Sequence, residues 1–130
     1  MKLGTAVLEM YSIYADDILV GHSEFETGDP PMGVASGVFL PNPNFSGLYA
    51  RGVPAVDGAG QPIADLLVWT GLSAKTPAGA DLECQGGVCI TGYCSDPGLW
   101  ELEVSCLGIP YPLYEDIFPE HVKAYEGMFT

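Results

Sequence analysis

The amino-acid sequence predicts a single, mostly antiparallel β domain, a sandwich or partly open barrel of about seven strands with a short C-terminal helix. The chain has 17 glycines and 11 prolines in 130 residues, which indicates many turns between short elements. Apolar residues make up 48% and charged residues 16%, a composition that excludes a disordered protein. A chain of this length can bury a core without metal or disulfides, and no stretch has a linker composition, so we expect residues 1–130 to form one domain.

The first elements are a predicted hairpin and a rigid corner. Residues 5–14 and 18–25 are rich in β-branched and aromatic side chains, and Ala15-Asp16-Asp17 between them has hairpin length. Asp29-Pro30-Pro31 and Pro41-Asn42-Pro43 are stiff turns that enclose a predicted strand over residues 34–40. Gly37 interrupts this strand, which suggests a bulge or a close backbone approach. We expect the rest of the chain to pack against this corner.

The middle of the chain predicts alternating exposed and buried segments. A loop follows the corner, with Phe45, Leu48 and Tyr49 as apolar plugs, and residues 51–62 form an exposed crossing. The apolar run within 63–72 predicts a central strand that is among the most buried segments. Residues 82–84 and 88–93 flank a turn at Gln85-Gly86-Gly87 and predict a second hairpin.

The last elements are a half-buried strand and a helix. After a turn at Asp96-Pro97-Gly98, apolar side chains at 100, 102, 104 and 106 alternate with residues 99, 101, 103 and 105, which places Glu101 and Glu103 on a wet face. Pro119 begins a helix that runs to Glu126, and Gly127 ends it.

The charge balance restricts the partners. Seventeen acidic residues face four basic ones, so the formal net charge is -13. Such a field repels nucleic-acid phosphates and anionic lipids and attracts basic partners, so we expect no direct nucleic-acid binding and no membrane binding. No window is apolar enough for a membrane span, and Glu9 shortens the N-terminal apolar run, so we expect a soluble, cytoplasmic protein whose cysteines are thiols.

Residues for metal or cofactor chemistry are few. Cys84, Cys89, Cys94 and Cys106 do not have zinc-site spacing, and two histidines, His22 and His121, are too few for a histidine metal centre. We therefore expect no metal and no cofactor. Cys84 and Cys89 flank a predicted turn, which leaves a metal or redox pair open. The common nucleotide-binding and hydrolase motifs are absent.

The leading hypothesis is a non-enzymatic interaction protein. Because almost all charged side chains are negative, the acids suggest a cationic partner, and nearby tyrosines suggest interface anchors. The protein would neutralise or sequester a basic protein such as a toxin or nuclease, as immunity and inhibitor proteins do. This requires the acids to share one face. The expected partner-binding residues are Asp16, Asp17, Glu24, Glu26, Glu101, Glu103, Tyr111 and Tyr114.

Two alternatives remain open. A small enzyme or ligand-binding domain would use a β pocket lined by Trp69, Trp100 and tyrosines, with an acid or Cys89 as the reactive group. A paired-carboxylate hydrolase belongs to this class. A structural homo-oligomer is the other alternative.

The corner carries one resemblance. The string Gly28-Asp29-Pro30-Pro31-Met32-Gly33-Val34-Ala35-Ser36-Gly37-Val38-Phe39-Leu40-Pro41 resembles a segment of small uncharacterised bacterial proteins and covers roughly a tenth of the chain. The resemblance implies a bacterial cytosolic setting and no particular chemistry.

Overall fold

The computed structural model describes residues 10–96 and 99–129 and is mostly β. The strands are β1 Tyr11–Ala15, β2 Ile18–Ser23, β3 Thr27–Asp29, β4 Val34–Val38, β5 Leu40–Pro41, β6 Val53–Val56, β7 Pro62–Lys75, β8 Gly87–Asp96 and β9 Leu99–Leu107. A 3-10 turn spans Pro30–Met32, and the helices are α1 Phe45–Tyr49, α2 Leu113–Ile117 and α3 Pro119–Gly127. The predicted antiparallel β fold with a C-terminal helix is confirmed.

All strand pairs form one curled sheet. The path is β3-β4-β9-β8-β7-β1-β2-β5, with β6 added beside β7, and every pair is antiparallel. β4 and β5 are separated by Phe39 alone, yet they pair with β9 and β2, far apart along the path. The sheet therefore curls until its two ends meet at Phe39, which is buried and donates its backbone N–H to the Leu102 carbonyl at 3.0 Å. The result is a half-barrel.

The first hairpin is confirmed over the residues described. β1 pairs with β2 from Tyr11 opposite Ser23 to Ala15 opposite Ile18. Asp16, in the turn, has a φ of 55°, a left-handed conformation that aspartate adopts more readily than most residues. The predicted residues 5–9 of the first strand lie outside the described part of the chain.

The rigid corner shapes the neighbouring strands as expected. Gly33 takes a φ of 67° after the 3-10 turn, and its carbonyl accepts the Ile109 N–H at 2.8 Å. Gly37 makes the close approach that its position suggested, because a Cβ there would lie 2.6 Å from both Ser23 Oγ and Glu26 Oε1. Only glycine leaves room for these two side chains against β4.

Trp69 anchors the core on one side. Its indole N–H donates to the Leu48 carbonyl at 3.1 Å, and its ring packs edge-on against Phe45, with centroids 5.3 Å apart. Phe45 and Leu48 are buried, so two of the three predicted plugs are confirmed, and Tyr49 is 41% exposed. The loop predicted around them is instead the helix α1.

Two segment predictions are wrong. β7 is not among the most buried segments, since only Trp69, Leu72 and Ala74 of its 14 residues are buried. Its first half pairs with β6, an edge strand inside the predicted crossing that is itself mostly exposed. Residues 82–84 and 88–93 do not form a hairpin either. β8 pairs with β7 and β9, and Leu82 bonds to Ala74 instead.

The C-terminal segment packs against the core on the side away from Trp69. α3 begins at the predicted proline, and α2 precedes it. The Tyr114 hydroxyl donates to the Val34 carbonyl at 2.8 Å and contacts His121 Nδ1 at 2.9 Å, while His121 Nε2 contacts the Phe25 carbonyl at 2.7 Å. The imidazole also stacks on Phe118 with centroids 4.6 Å apart. These contacts attach both helices to β4 and to the connection between β2 and β3.

Candidate docking groove

An open groove lies where β4 ends and β5 turns away from β9. The last bond from this stretch to β9 is made by Phe39, and Leu40 pairs with His22 of β2 instead. An open groove of about 840 Å³ remains between the separated strands. The lining residues come from two parts of the chain, which we call the first wall (Glu26, Thr27, Gly37, Val38, Phe39, Leu40 and Pro41) and the second wall (Leu66, Thr91, Tyr93, Glu101, Leu102 and Glu103).

Strand register aligns the carboxylates of the second wall. Glu101 is directly opposite Tyr93, and Glu103 is directly opposite both Thr91 and Val38. Direct antiparallel partners point to the same face, with Cβ atoms about 5 Å apart. Because Glu101 and Glu103 are two residues apart on one strand, their Cα atoms are about 7 Å apart on that face. The groove therefore carries two adjacent negative charges on one wall.

A third carboxylate is held at the other wall. Glu26 Oε2 accepts the backbone N–H of Val38 at 2.7 Å, at the point where β3 no longer supplies a partner to β4. The preceding Phe25 has a φ of 47°, which is uncommon for a bulky residue, and the Ser23 hydroxyl accepts its N–H at 3.1 Å. This kink and the space left by Gly37 together place Glu26 beside the groove.

None of the described residues that line this groove is basic. Within residues 10–96 and 99–129, the one ion pair joins Lys123 to Glu120 at 3.6 Å on the exposed surface of α3. The three carboxylates therefore add their fields, and no basic residue in the described lining compensates them.

Apolar surface borders the acids. Val38, Leu40 and Tyr93 are 58%, 45% and 50% exposed, although they are large hydrophobic residues. A second groove of about 420 Å³ adjoins the first and is lined by Pro41, Asn42, Pro43, Phe45, Ser46, Tyr49 and Leu102. Pro41 and Leu102 line both grooves, so the two grooves are adjacent. We call the two grooves together the docking groove.

The structure brings together only part of the predicted site. Glu26, Glu101 and Glu103 line the docking groove. Asp16 and Asp17 lie in the β1–β2 turn and Glu24 follows β2, and these three are exposed outside it. The tyrosines also separate, because Tyr111 is 52% exposed near α2 whereas Tyr114 is fully buried and has no surface to offer a partner.

Sequence reasoning missed the apolar half of the groove. Tyr93 could have been found by pairing the alternation of β9 with the strand before it, since Tyr93 lies opposite Glu101. Val38 and Leu40 carried no such signal, because an apolar run between two stiff turns predicts burial. Their exposure results from the separation of β5 from β9.

Two tryptophans were proposed to line an enzyme pocket. Trp69 is 2% exposed and belongs to the core, and the side chain of Trp100 lies outside the described part of the structure. Burial, and then the nearby Glu103 carboxylate, raise the pKa of the Cys89 thiol, which favours the protonated and less nucleophilic form. The Cys84 thiol donates to the Leu82 carbonyl at 3.5 Å and interacts with the Cys106 thiol.

The interaction between Cys84 and Cys106 shifts the pKa values of the two thiols in opposite directions. Its hydrogen bond to Cys106 lowers the pKa of Cys84, although burial opposes this. The same bond, together with burial, raises the pKa of Cys106, which is fully buried.

Among the residues described, no three His, Cys, Asp or Glu side chains are grouped to hold a metal ion. The helices in that same part of the chain are all too short or too polar to cross a membrane.

No family model, curated protein or solved structure matches this chain. The resemblance of residues 28–41 to bacterial proteins therefore stays a prediction.

Proposed function

We propose that this protein is a non-enzymatic acidic interaction protein that sequesters a basic partner protein, in the manner of inhibitor or immunity proteins. The supporting observation is the convergence of Glu26, Glu101 and Glu103 on one open groove whose described lining residues include no basic side chain. A toxin or nuclease with a cationic active site has the complementary chemistry.

The groove has the two components that protein interfaces need. Exposed Val38, Leu40 and Tyr93 supply apolar area that a partner would remove from water. The carboxylates beside them would select a cationic surface and disfavour an anionic one. The proposed contact surface is therefore the groove. Asp16, Asp17 and Glu24, which lie outside it, would contribute only long-range attraction of the basic partner.

The overall charge supports fast association. A net charge of -13 attracts a cationic protein over distances of about one Debye length, which is roughly 10 Å at 0.1 M salt. Association should therefore slow steeply as salt is added, whereas dissociation should change less.

Two double variants with equal charge change provide the test. Glu101→Gln with Glu103→Gln removes two charges from the groove, and Asp16→Asn with Asp17→Asn removes two from the β1–β2 turn. Asparagine tolerates the left-handed backbone at position 16. Each variant and the wild type would be used as bait in extracts of the source organism. Captured proteins would be identified by mass spectrometry, purified and measured for binding in increasing salt.

The expected result is a basic protein that binds the wild type and the turn variant similarly and the groove variant at least about tenfold more weakly. Recovery of no basic protein, or an equal loss in both variants, would refute the proposal. An equal loss would mean that only total charge matters.

A further inference from the structure

We infer that the docking groove binds an extended segment of its partner, which adds as an antiparallel strand to the open edge of β9. This inference rests on the proposed function and specifies the form of the basic ligand. The expected ligand has basic and apolar side chains in alternation.

The first observation is an unpaired strand edge. β4 pairs with β9 only from Ala35 opposite Cys106 to Val38 opposite Glu103, and Phe39 adds one bond to Leu102. Beyond this point, residues 99–101 of β9 pair with β8 on one side and with no described strand on the other. An edge of this kind offers backbone donors and acceptors to an extended chain.

The orientation of the free backbone groups follows from Leu102. Its carbonyl points toward the β4 side, because it accepts the Phe39 N–H. Backbone groups alternate along a strand, so the N–H and carbonyl of residue 100 point to the same open side. These groups would bond to an added strand.

The side-chain pattern of the ligand follows from the same register. Leu102 packs against the core, whereas Glu101 and Glu103 are exposed on the outer face. In an antiparallel hydrogen-bonded pair the two opposite residues share a face. A ligand residue whose N–H bonds to the edge would therefore face the apolar lining around Pro41 and Phe45, and its neighbours would face the glutamates. Apolar residues should thus make the backbone bonds, and lysine or arginine should make the charge contacts.

The second observation is charge complementarity along the groove. The acids at Glu26, Glu101 and Glu103 have no basic neighbour in the lining, so cationic side chains would meet uncompensated charge on both walls. An acidic or uncharged extended segment would gain the backbone bonds without this attraction. The groove should therefore discriminate strongly between basic and acidic segments of the same pattern.

The test uses three synthetic peptides and the unmodified protein. The first has alternating lysine and valine, the second carries N-methyl groups on its valine amides, and the third carries them on its lysine amides. N-methylation removes a hydrogen-bond donor without changing charge. Binding would be measured by calorimetry in low salt, with a peptide of alternating glutamate and valine as the charge control.

We expect the unmodified and lysine-methylated peptides to bind similarly and the valine-methylated peptide to bind about fivefold more weakly. The described open edge offers one carbonyl to a ligand N–H, that of residue 100, and one lost backbone bond accounts for about fivefold. Equal binding of all three, or weaker binding of the lysine-methylated peptide alone, would overturn strand addition and leave the proposed function standing. If no basic peptide binds more tightly than the acidic control, and the groove variant retains the captured partner, both proposals fail.

Discussion

The hydroxyl of Tyr114 links the C-terminal helices to the sheet, and its removal should measurably destabilise the protein. The Val34 and Phe25 carbonyls can only accept hydrogen bonds, so the Tyr114 hydroxyl donates to Val34 and Nε2 of His121 donates to Phe25. A neutral imidazole protonated on Nε2 has an unprotonated Nδ1, which can only accept, so Nδ1 shares the single Tyr114 proton with Val34. Tyr114→Phe removes this donor from both acceptors. We expect the free energy of unfolding to fall by about 2 kcal/mol.

For a chain of 130 residues this loss corresponds to a decrease in melting temperature of about 7 °C. Calorimetry or urea unfolding would measure it. Tyr111→Phe is the matched control, because Tyr111 stacks on Tyr114 with centroids 5.8 Å apart but is 52% exposed. Its change should stay within about 0.5 kcal/mol. If both variants lose the same stability, the buried hydrogen-bond network does not contribute as argued.

The same hydroxyl predicts a loss of stability at alkaline pH. Burial, followed by the neighbouring Tyr111 and Asp29, raises the pKa of Tyr114 from 10.0 to about 12. The folded state therefore holds this proton more tightly than the unfolded state. The stabilisation is complete below pH 10 and is lost as the pH rises to about 12. Unfolding measured across this range should show a shallower decline in Tyr114→Phe than in the wild type. Identical slopes would contradict the assignment.

Two further predictions concern the corner and the thiols. Gly33→Ala should cost more than Gly60→Ala, although both have a positive φ, because a Cβ at Gly33 would lie 2.6 Å from the Ile109 carbonyl whereas Gly60 faces open space. We expect about 1–2 kcal/mol for Gly60→Ala and at least 1 kcal/mol more for Gly33→Ala in chemical denaturation, and equal losses would argue against the close approach. Iodoacetamide at neutral pH should modify Cys84 well before Cys106, because the hydrogen bond between them lowers the pKa of Cys84 and burial protects Cys106. Peptide mass spectrometry would check this order, and faster modification of Cys106 in the folded protein would contradict it.

Local pattern was sufficient for much of the fold. The alternation along β9 placed Glu101 and Glu103 on the exposed face because a strand has a period of two residues. The hairpin around Asp16 has its own turn residues and the last helix begins with its own first-turn proline, Pro119, so neighbours in sequence determine both. The same local logic failed for β7, where an apolar run does not reveal whether another layer covers the strand.

The sequence by itself determined the β class, the strongly negative net charge and the alternation that exposes the β9 glutamates. Tertiary structure alone decided that Glu26 joins them, that Tyr114 is buried, and that the cleft opens between β5 and β9. These features depend on contacts between residues distant along the chain, such as Phe39 with Leu102 and Tyr114 with Val34. Such contacts follow from how the whole sheet curls, and no short stretch of sequence contains that information.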